Sequence, residues 1–369
     1  MQTPQTYKLA EMLNLLKRMT NKSTQKQDAG DNSTNLQGQQ VIVNQGISYS
    51  DAKEIANDVF KANFIELRKE AAVIAQERAE EVTDHFIEKL NERNPESINE
   101  FESPALQDAL FKVQRQYAIS GDEDLGDLLV DILVDRAGAP KRNMVQIVLD
   151  ESLSIAPKLT VEQFDTLTLN FLLISTRRLD LRFYPDLINH FKKRIVPFTE
   201  NLSERHSDYT HAEYLGCGHV RAGSYGALEK HLRDTYKVFF SNGFTKQELD
   251  DLVGTEANLQ GLVIRCFHDV DKLQIGVLDD ETLEKVADQN GIAEDVKLKL
   301  KNLFESSTKP VHEVKSMLVA DIPEFKKIFE VWEGSPFDQF ELTSVGIAIA
   351  HANYRRRVGD TMNLSIWIK

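Results

Sequence analysis

Between Ser50 and Asn94 the chain carries neither glycine nor proline, and this stretch limits the possible architecture more than any other feature. Within it, Ile55, Val59, Phe60, Phe64, Leu67, Ala71, Ile74, Ala75, Val82, Phe86 and Leu90 recur at helical spacing. The pairs Lys69-Glu70, Glu77-Arg78 and Glu80-Glu81 fall on the other side, as an amphipathic helix requires. Ser50 suits an N-cap and Glu54 lies in the first turn, where a carboxylate meets the positive end of the helix dipole. Unbroken, such a helix would run roughly 65 Å at 1.5 Å per residue. That exceeds the usual globular helix and points to a bundle stem or a coiled-coil-like association. Two ordinary helices broken near Lys69 satisfy the same pattern, and both readings stay open.

The rest of the chain reads as mainly α. Pro95 closes the first stretch, and Ser103-Pro104 offers a cap and a first-turn proline to two helices over 103–137. The second of these buries Leu125, Leu128, Leu129, Ile132 and Leu133. Helices follow over 142–156, from the Thr160/Gln163 capping box to Ile174, and over 184–200. Around 201–222 the texture turns polar and rich in His and Gly, which suggests a boundary. Beyond it, helices fit 224–240, 245–254, 279–289, 294–306, 311–319 and 322–333. Leu262–Cys266 and Leu273–Val277 fit short strands. Thr343 starts a last helix, and Met362–Ile368 alternates like a terminal strand. The expected organisation is an amphipathic N-terminal helix over 1–20, a polar segment over 21–47, a helical bundle over 48–200 and a second, mostly helical domain over 201–369.

The first two segments carry their own signals. Leu9, Met12, Leu13, Leu16 and Met19 share one side of a helix flanked by Lys8, Lys17 and Arg18. Such a helix docks on protein or lies on a membrane surface. In 21–46, 17 of 26 positions are Asn, Gln, Ser, Thr or Gly, the composition of a flexible linker. Val41-Ile42-Val43 argues otherwise, since amide ladders around a β-branched core are what stacked strands use. One copy cannot bury that core on both faces; several copies can. Leu36, Val41, Ile42 and Val43, with Ile55, Val59, Phe60 and Phe64 on the following helix, are therefore the expected oligomerisation residues.

Charge and motifs narrow the function. The net charge is −14. Residues 1–50 hold five basic and three acidic side chains, a net of +2, so the remainder carries −16. Broad nucleic-acid contact is disfavoured by that balance. Two cysteines make no disulfide framework and suit a reducing compartment. No run of 18 apolar residues occurs and the N-terminus lacks a secretory signal, so a cytoplasmic protein, peripheral at a membrane at most, is expected. No phosphate loop, dinucleotide fingerprint, nucleophile elbow or His-Glu-x-x-His is present. Seven of the eleven His and Cys residues fall between His206 and His268. Among them His206, His211, Cys217 and His219 are the candidate metal ligands, although their spacing fits no common zinc template. Cys217 beside His219 also invites a nucleophile–base reading without a third orienting group. Tyr354-Arg355-Arg356-Arg357 reads as the cationic end of a helix before it reads as a phosphate grip, and Arg177-Arg178 as a salt-linked surface. No cofactor is implied.

Several stretches together carry a resemblance. They are the Asn/Gln/Gly tract over 30–38, Tyr49-Ser50 opening a helix with Asp58–Phe64, Ser120–Val130, Leu342-Thr343-Ser344-Val345-Gly346-Ile347-Ala348-Ile349-Ala350, and Leu364–Ile368. From about residue 30 onward the chain resembles a bacterial family of helical proteins, without an assigned activity, found among mobile and defence genes. The resemblance carries over no catalytic residue. It implies a sensor or scaffold in antiphage defence, working with a protein partner encoded nearby. The leading expectation is thus a non-enzymatic, self-associating interaction protein. The alternatives are a metal-dependent hydrolase or nuclease using the 206–268 region, and a membrane-active effector acting through residues 4–20.

Overall fold

A computed structural model describes residues 47–63, 69–139, 142–254, 258–360 and 362–369. The helix read over 4–20, the polar tract with Leu36, Val41, Ile42 and Val43, and Phe64 lie outside the described residues. The described residues belong to one compact unit, Ile47–Lys369, and they are mainly helical.

The stretch that opened the sequence reading forms two helices, α1 (Tyr49–Asn63) and α2 (Lys69–Arg93). They lie side by side. Lys53 Nζ on α1 sits 2.7 Å from the Asp84 carboxylate on α2. The Gln114 side chain donates both to the Ala56 carbonyl at 3.3 Å and to Thr83 Oγ1 at 2.8 Å. In one straight rod, residues 53 and 84 would stand about 46 Å apart. The single 65 Å helix is therefore replaced by the broken alternative, with α1 turned back along α2. The long helix near the N-terminus survives as α2, 25 residues in length. Packing explains the choice: Ala52, Ala56 and Phe60 are buried on α1, and small residues at four-residue spacing allow close helix approach.

A 3₁₀ turn over Pro95–Glu102 leads into α3 (Pro104–Ser120), which starts at the expected Ser103-Pro104 pair. Gly121 stops α3 at φ +62°, with the Arg78 guanidinium lying where a side chain would project. Asp122 then caps α4 (Glu123–Gly138) by accepting from the Leu125 amide. Asn143 caps α5 (Met144–Ile155). Thr160 and Gln163 form the expected capping box of α6 (Val161–Asn170), which widens into a π turn over Phe171–Ser175. Helices α7 (Tyr184–Arg194) and α8 (His206–Tyr214) complete the first part.

The second part begins with β1 (Gly218–Val220), which pairs antiparallel with the distant β4 (Phe340–Leu342), Gly218 opposite Leu342. Between them lie α9 (Leu228–Thr235), α10 (Lys246–Val253), the antiparallel pair β2 (Val263–Arg265) and β3 (Leu273–Ile275), then α11 (Asp280–Gln289), α12 (Glu294–Ser307), α13 (Val311–Asp321) and α14 (Phe325–Gly334). The last helix, α15 (Ser344–Val358), is capped by Thr343 as expected.

No division falls at the boundary expected near residue 200. One hydrophobic core runs from Ala52 to Ile368 and takes in residues from both sides of that point. Helix α15 seats against α4, α5 and α6, where Asn353 donates to Thr168 Oγ1 at 2.9 Å. Asn170 donates to the Phe340 carbonyl at 2.8 Å. The polar texture around 201–222 belongs to α8 and β1, which seat Tyr209, Ala212 and Cys217 in that core, and is not a linker. What does stand apart is a smaller core between Phe244 and Phe304, built on Leu249, Leu262, Ile275, Leu283 and Leu300.

The C-terminal segment is not a strand. Leu364–Ile366 forms a 3₁₀ turn. Leu364 and Ile368 are buried while Ile366 is 62% exposed, so the apolar alternation conceals a four-residue spacing. Trp367 ties the turn down by donating from Nε1 to the Ser175 carbonyl at 2.9 Å and standing edge-on to Phe171.

Candidate interaction surface

Helices bury an apolar stripe, and a run of apolar residues longer than the stripe must leave some of them outside. Ala71-Ala72-Val73-Ile74-Ala75 is such a run, since successive residues step 100° around the helix. Only Ala75 is buried, against Phe60, Ala79 and Ala118 in a small cluster of its own. Lys69 through Ile74 are all exposed, with Val73 at 57% and Ile74 at 49%. Ile119, next to the buried Ala118 at the end of α3, adds a third exposed apolar side chain at 59%. The start of α2 therefore presents an apolar surface rimmed by charge, and the end of α3, whose Ala118 shares a cluster with Ala75, brings Ile119 to the same region. Contiguous exposed apolar residues of this kind mark interaction sites.

The rim has an order. Lys69, Val73 and Glu77 are spaced by four and form one exposed stripe; Glu70, Ile74 and Arg78 form the neighbouring stripe. Each stripe reads positive–apolar–negative or its reverse. Arg78 is partly engaged, donating to the Ala118 carbonyl at 3.2 Å.

Of the expected oligomerisation residues on α1, Ile55 and Val59 are half-buried and Phe60 is buried within the protomer. Phe60 packs with Ala75 and Ala79 of α2 and Ala118 of α3. Val73 is absent from the expected oligomerisation residues although the length of the apolar run Ala71–Ala75 signals its exposure, and Ile119 carries no such local signal.

The candidate metal ligands do not converge. His206 is exposed at the start of α8, and His211 Nδ1 lies 3.0 Å from the Gln163 side-chain amide. His219 points its Nε2 toward Glu341 at 3.5 Å from the exposed face of β1. Cys217 is fully buried, and burial pushes its thiol up to about 12. A thiol so placed is neither a ready thiolate ligand nor a nucleophile, and its neighbour His219 sits outside. Further along, His231 and His268 donate from Nε2 to the carbonyls of Leu173 and Phe239. The Cys266 thiol is buried beside the Ser241 carbonyl. Among the described residues, no group of three or more His, Cys, Asp or Glu side chains is arranged to hold a metal ion. In this region the described His and Cys side chains are spent on Gln163, Glu341 and backbone carbonyls or buried in the core, and His206, His211, Cys217 and His219 are not brought together.

Arg177-Arg178 is salt-linked as expected, and the run ending α15, read as a cationic helix end, is salt-linked as well. Arg355 chelates Asp135 through both terminal nitrogens at 2.7 Å, Arg356 meets Asp124 and Arg357 meets Asp165. Arg177 pairs with Asp279 at 2.6 Å and Arg178 with Asp180. None is left to grip phosphate. No described helix is long and apolar enough to cross a membrane.

A family model described only as ":-like" matches residues 46–368, nearly the extent of the compact unit. No curated protein and no solved structure matches the chain.

Proposed function

We propose, for a chain that belongs to the family whose model spans residues 46–368, a non-enzymatic interaction protein whose copies associate through the exposed start of α2. One observation carries this reading: Val73 and Ile74 stand in solvent on a helix whose other side packs Ala75, Ala79, Val82, Phe86 and Leu90 inside the protomer. The occupant of that surface is a second copy. An antiparallel pair of α2 helices centred on Val73 places Lys69 of each copy against Glu77 of the other, and Glu70 reaches Arg78 on the adjacent stripe. The body of the protein carries −16 beyond residue 50 and repels other copies. The start of α2 is locally neutral, so copies meet there at least electrostatic cost.

Magnitudes set the strength. Full burial of a valine or isoleucine is worth about 1.5–3 kcal/mol; half-exposed, Val73, Ile74 and Ile119 offer roughly 1 kcal/mol each, or about 6 kcal/mol over two copies. Association costs at least about 4 kcal/mol. The surface alone supports weak pairing. A second contact through the Val41-Ile42-Val43 tract would convert weak pairing into assembly through avidity. By its resemblance to defence-associated proteins, the assembly would act as a sensor or scaffold in antiphage defence. It would present residues 4–20, in several copies, to a membrane surface or a partner protein.

Light scattering on the full chain tests the proposal. Wild type is expected at a multiple of the protomer mass. Lys69→Glu reduces it, and adding Glu77→Lys restores it, because the swap rebuilds the ion pairs in reverse. A monomeric wild type at tens of micromolar, or a double swap no better than the single change, refutes it. Plaque counts on cells carrying wild type or Val73→Asp test the defence role: equal protection by both removes it.

A further inference from the structure

Helices α2, α4, α5 and α15 and the C-terminal turn enclose a cleft of about 370 Å³, within the range of small-molecule sites. Its floor is His351 and Arg355, four residues apart on α15 and only 1% and 8% exposed. Its rim holds the side-chain amides of Asn94, Asn143 and Asn363 and the Ser365 hydroxyl, and Val145 and Leu364 form an apolar wall.

The floor has hydrogen-bonding capacity left over. His351 Nε2 lies 2.7 Å from the Met362 carbonyl. A carbonyl only accepts, so Nε2 carries the proton and Nδ1 is an acceptor; that Nδ1 is buried with no partner. Arg355 spends both terminal nitrogens on Asp135 and one of them also on the Asp131 carbonyl at 3.1 Å. Its Nε–H is buried and unspent. One donor and one acceptor thus stand a helical turn apart in the same cleft. Buried polar groups without partners are costly and rare. The charges at the floor cancel: Arg355 is neutralised by Asp135, and burial together with the adjacent Arg355 disfavours protonation of His351. A charged ligand would lose hydration there without a counter-charge.

We propose that this cleft binds a small uncharged planar ligand presenting an amide edge, a C=O beside an N–H, the C=O accepting from Arg355 Nε and the N–H donating to His351 Nδ1. Neither of these two atoms reaches the cleft surface as the chain stands, so the ligand enters past Asn363 and Ser365 by displacing the turn over Leu364–Ile366 outward. The lactam edge of a nucleobase and a primary carboxamide share this chemistry. The site is independent of self-association through α2.

Thermal melting of the full chain with millimolar uridine, guanosine or nicotinamide tests it. One of the three is expected to raise Tm by about 2–4 °C at a hundred-fold excess over Kd, and which one does so distinguishes a nucleobase from a carboxamide. For uridine the comparison is 3-methyluridine, which keeps size and carbonyls but has no ring N–H and should give no shift. Val145→Trp fills the cleft from its half-buried wall and should abolish the shift while leaving the ligand-free Tm near wild type. Should that variant fail to fold, slower amide exchange over 359–369 on adding the ligand to wild type replaces it. No shift with any of the three probes, an equal shift with 3-methyluridine, a shift retained in folded Val145→Trp, or unchanged exchange over 359–369 overturns the proposal.

Discussion

Gly346, within the Leu342–Ala350 motif, is where one methyl group should cost the most. A Cβ added there would stand 1.9 Å from the Cys217 carbonyl oxygen and 2.9 Å from its carbon. Both are backbone atoms, so no rotamer change can relieve the contact. The carbonyl is also fixed, since it accepts from the Thr343 amide at 3.1 Å, and the Thr343 hydroxyl donates to Gly216 at 2.6 Å. Accommodating the methyl must therefore push the start of α15 away from β1. Overpacking of a well-filled site costs about 1–3 kcal/mol or more, and alanine recovers roughly 0.5–1 kcal/mol of helix propensity over glycine. With the 1.9 Å approach to backbone putting the cost at the upper end of that range, a net loss of about 2 kcal/mol is expected for Gly346→Ala. With an unfolding entropy of roughly 0.7 kcal/mol/K for some 320 folded residues, that lowers Tm by about 3 °C. Gly334→Ala is the control, because nothing lies within 4 Å of a Cβ there; its Tm should hold or rise slightly. Calorimetry of the three proteins decides. A Gly346→Ala variant as stable as wild type, or two variants falling alike, would refute the close-approach argument.

Three further outcomes follow from the same geometry. Burial, helped by Arg194 and Arg178, lowers His190 to about 4, while the unfolded group titrates near 6.5. The unfolded chain then binds the extra proton, so stability present above pH 6.5 is lost as pH falls toward 4. Urea midpoints should show up to about 2 kcal/mol lost between pH 7 and 5, with the slope reduced in His190→Gln; an unchanged slope would count against it. Both cysteines are buried, so a thiol reagent should leave native protein nearly unlabelled and label two thiols in guanidinium, and rapid native labelling of Cys217 would contradict its placement. Thr160→Ala removes one arm of the α6 capping box and should cost about 1 kcal/mol in chemical denaturation; no measurable loss would mean the cap is not stabilising.

Local signals were the most legible. Thr160 with Gln163, Thr343, Ser103-Pro104 and the strands around Val263 and Leu273 all stand where the sequence placed them, because caps and short β runs depend on neighbours within four residues. Long-range choices were not. The reversal that lays α1 along α2 depends on Ala52, Ala56 and Phe60 finding α2 and α3, information spread over 60 residues. The union of the two expected domains depends on Asn353 reaching Thr168 and Arg355 reaching Asp135, 185 and 220 positions away. Met362–Ile368 misled because Leu364 and Ile368 satisfy both a period of two and one of four. At the surface site, Ala71–Ala75 could be read as too long an apolar run, but Ala118, beside Ile119, joins Ala75 only after α3 is folded against α2.

Helix α15 completes a hydrophobic core whose other walls, α4 to α6, lie far upstream. At about 5–20 residues per second of synthesis, those walls would wait roughly ten to forty seconds for residues 344–358 to leave the ribosome. In that interval the groove they form lies open to whatever apolar chain is nearby. The nascent protein is then a client for holding chaperones, and a stalled or clipped product lacking the last helix would be a sticky, unfinished bundle rather than a shortened working one.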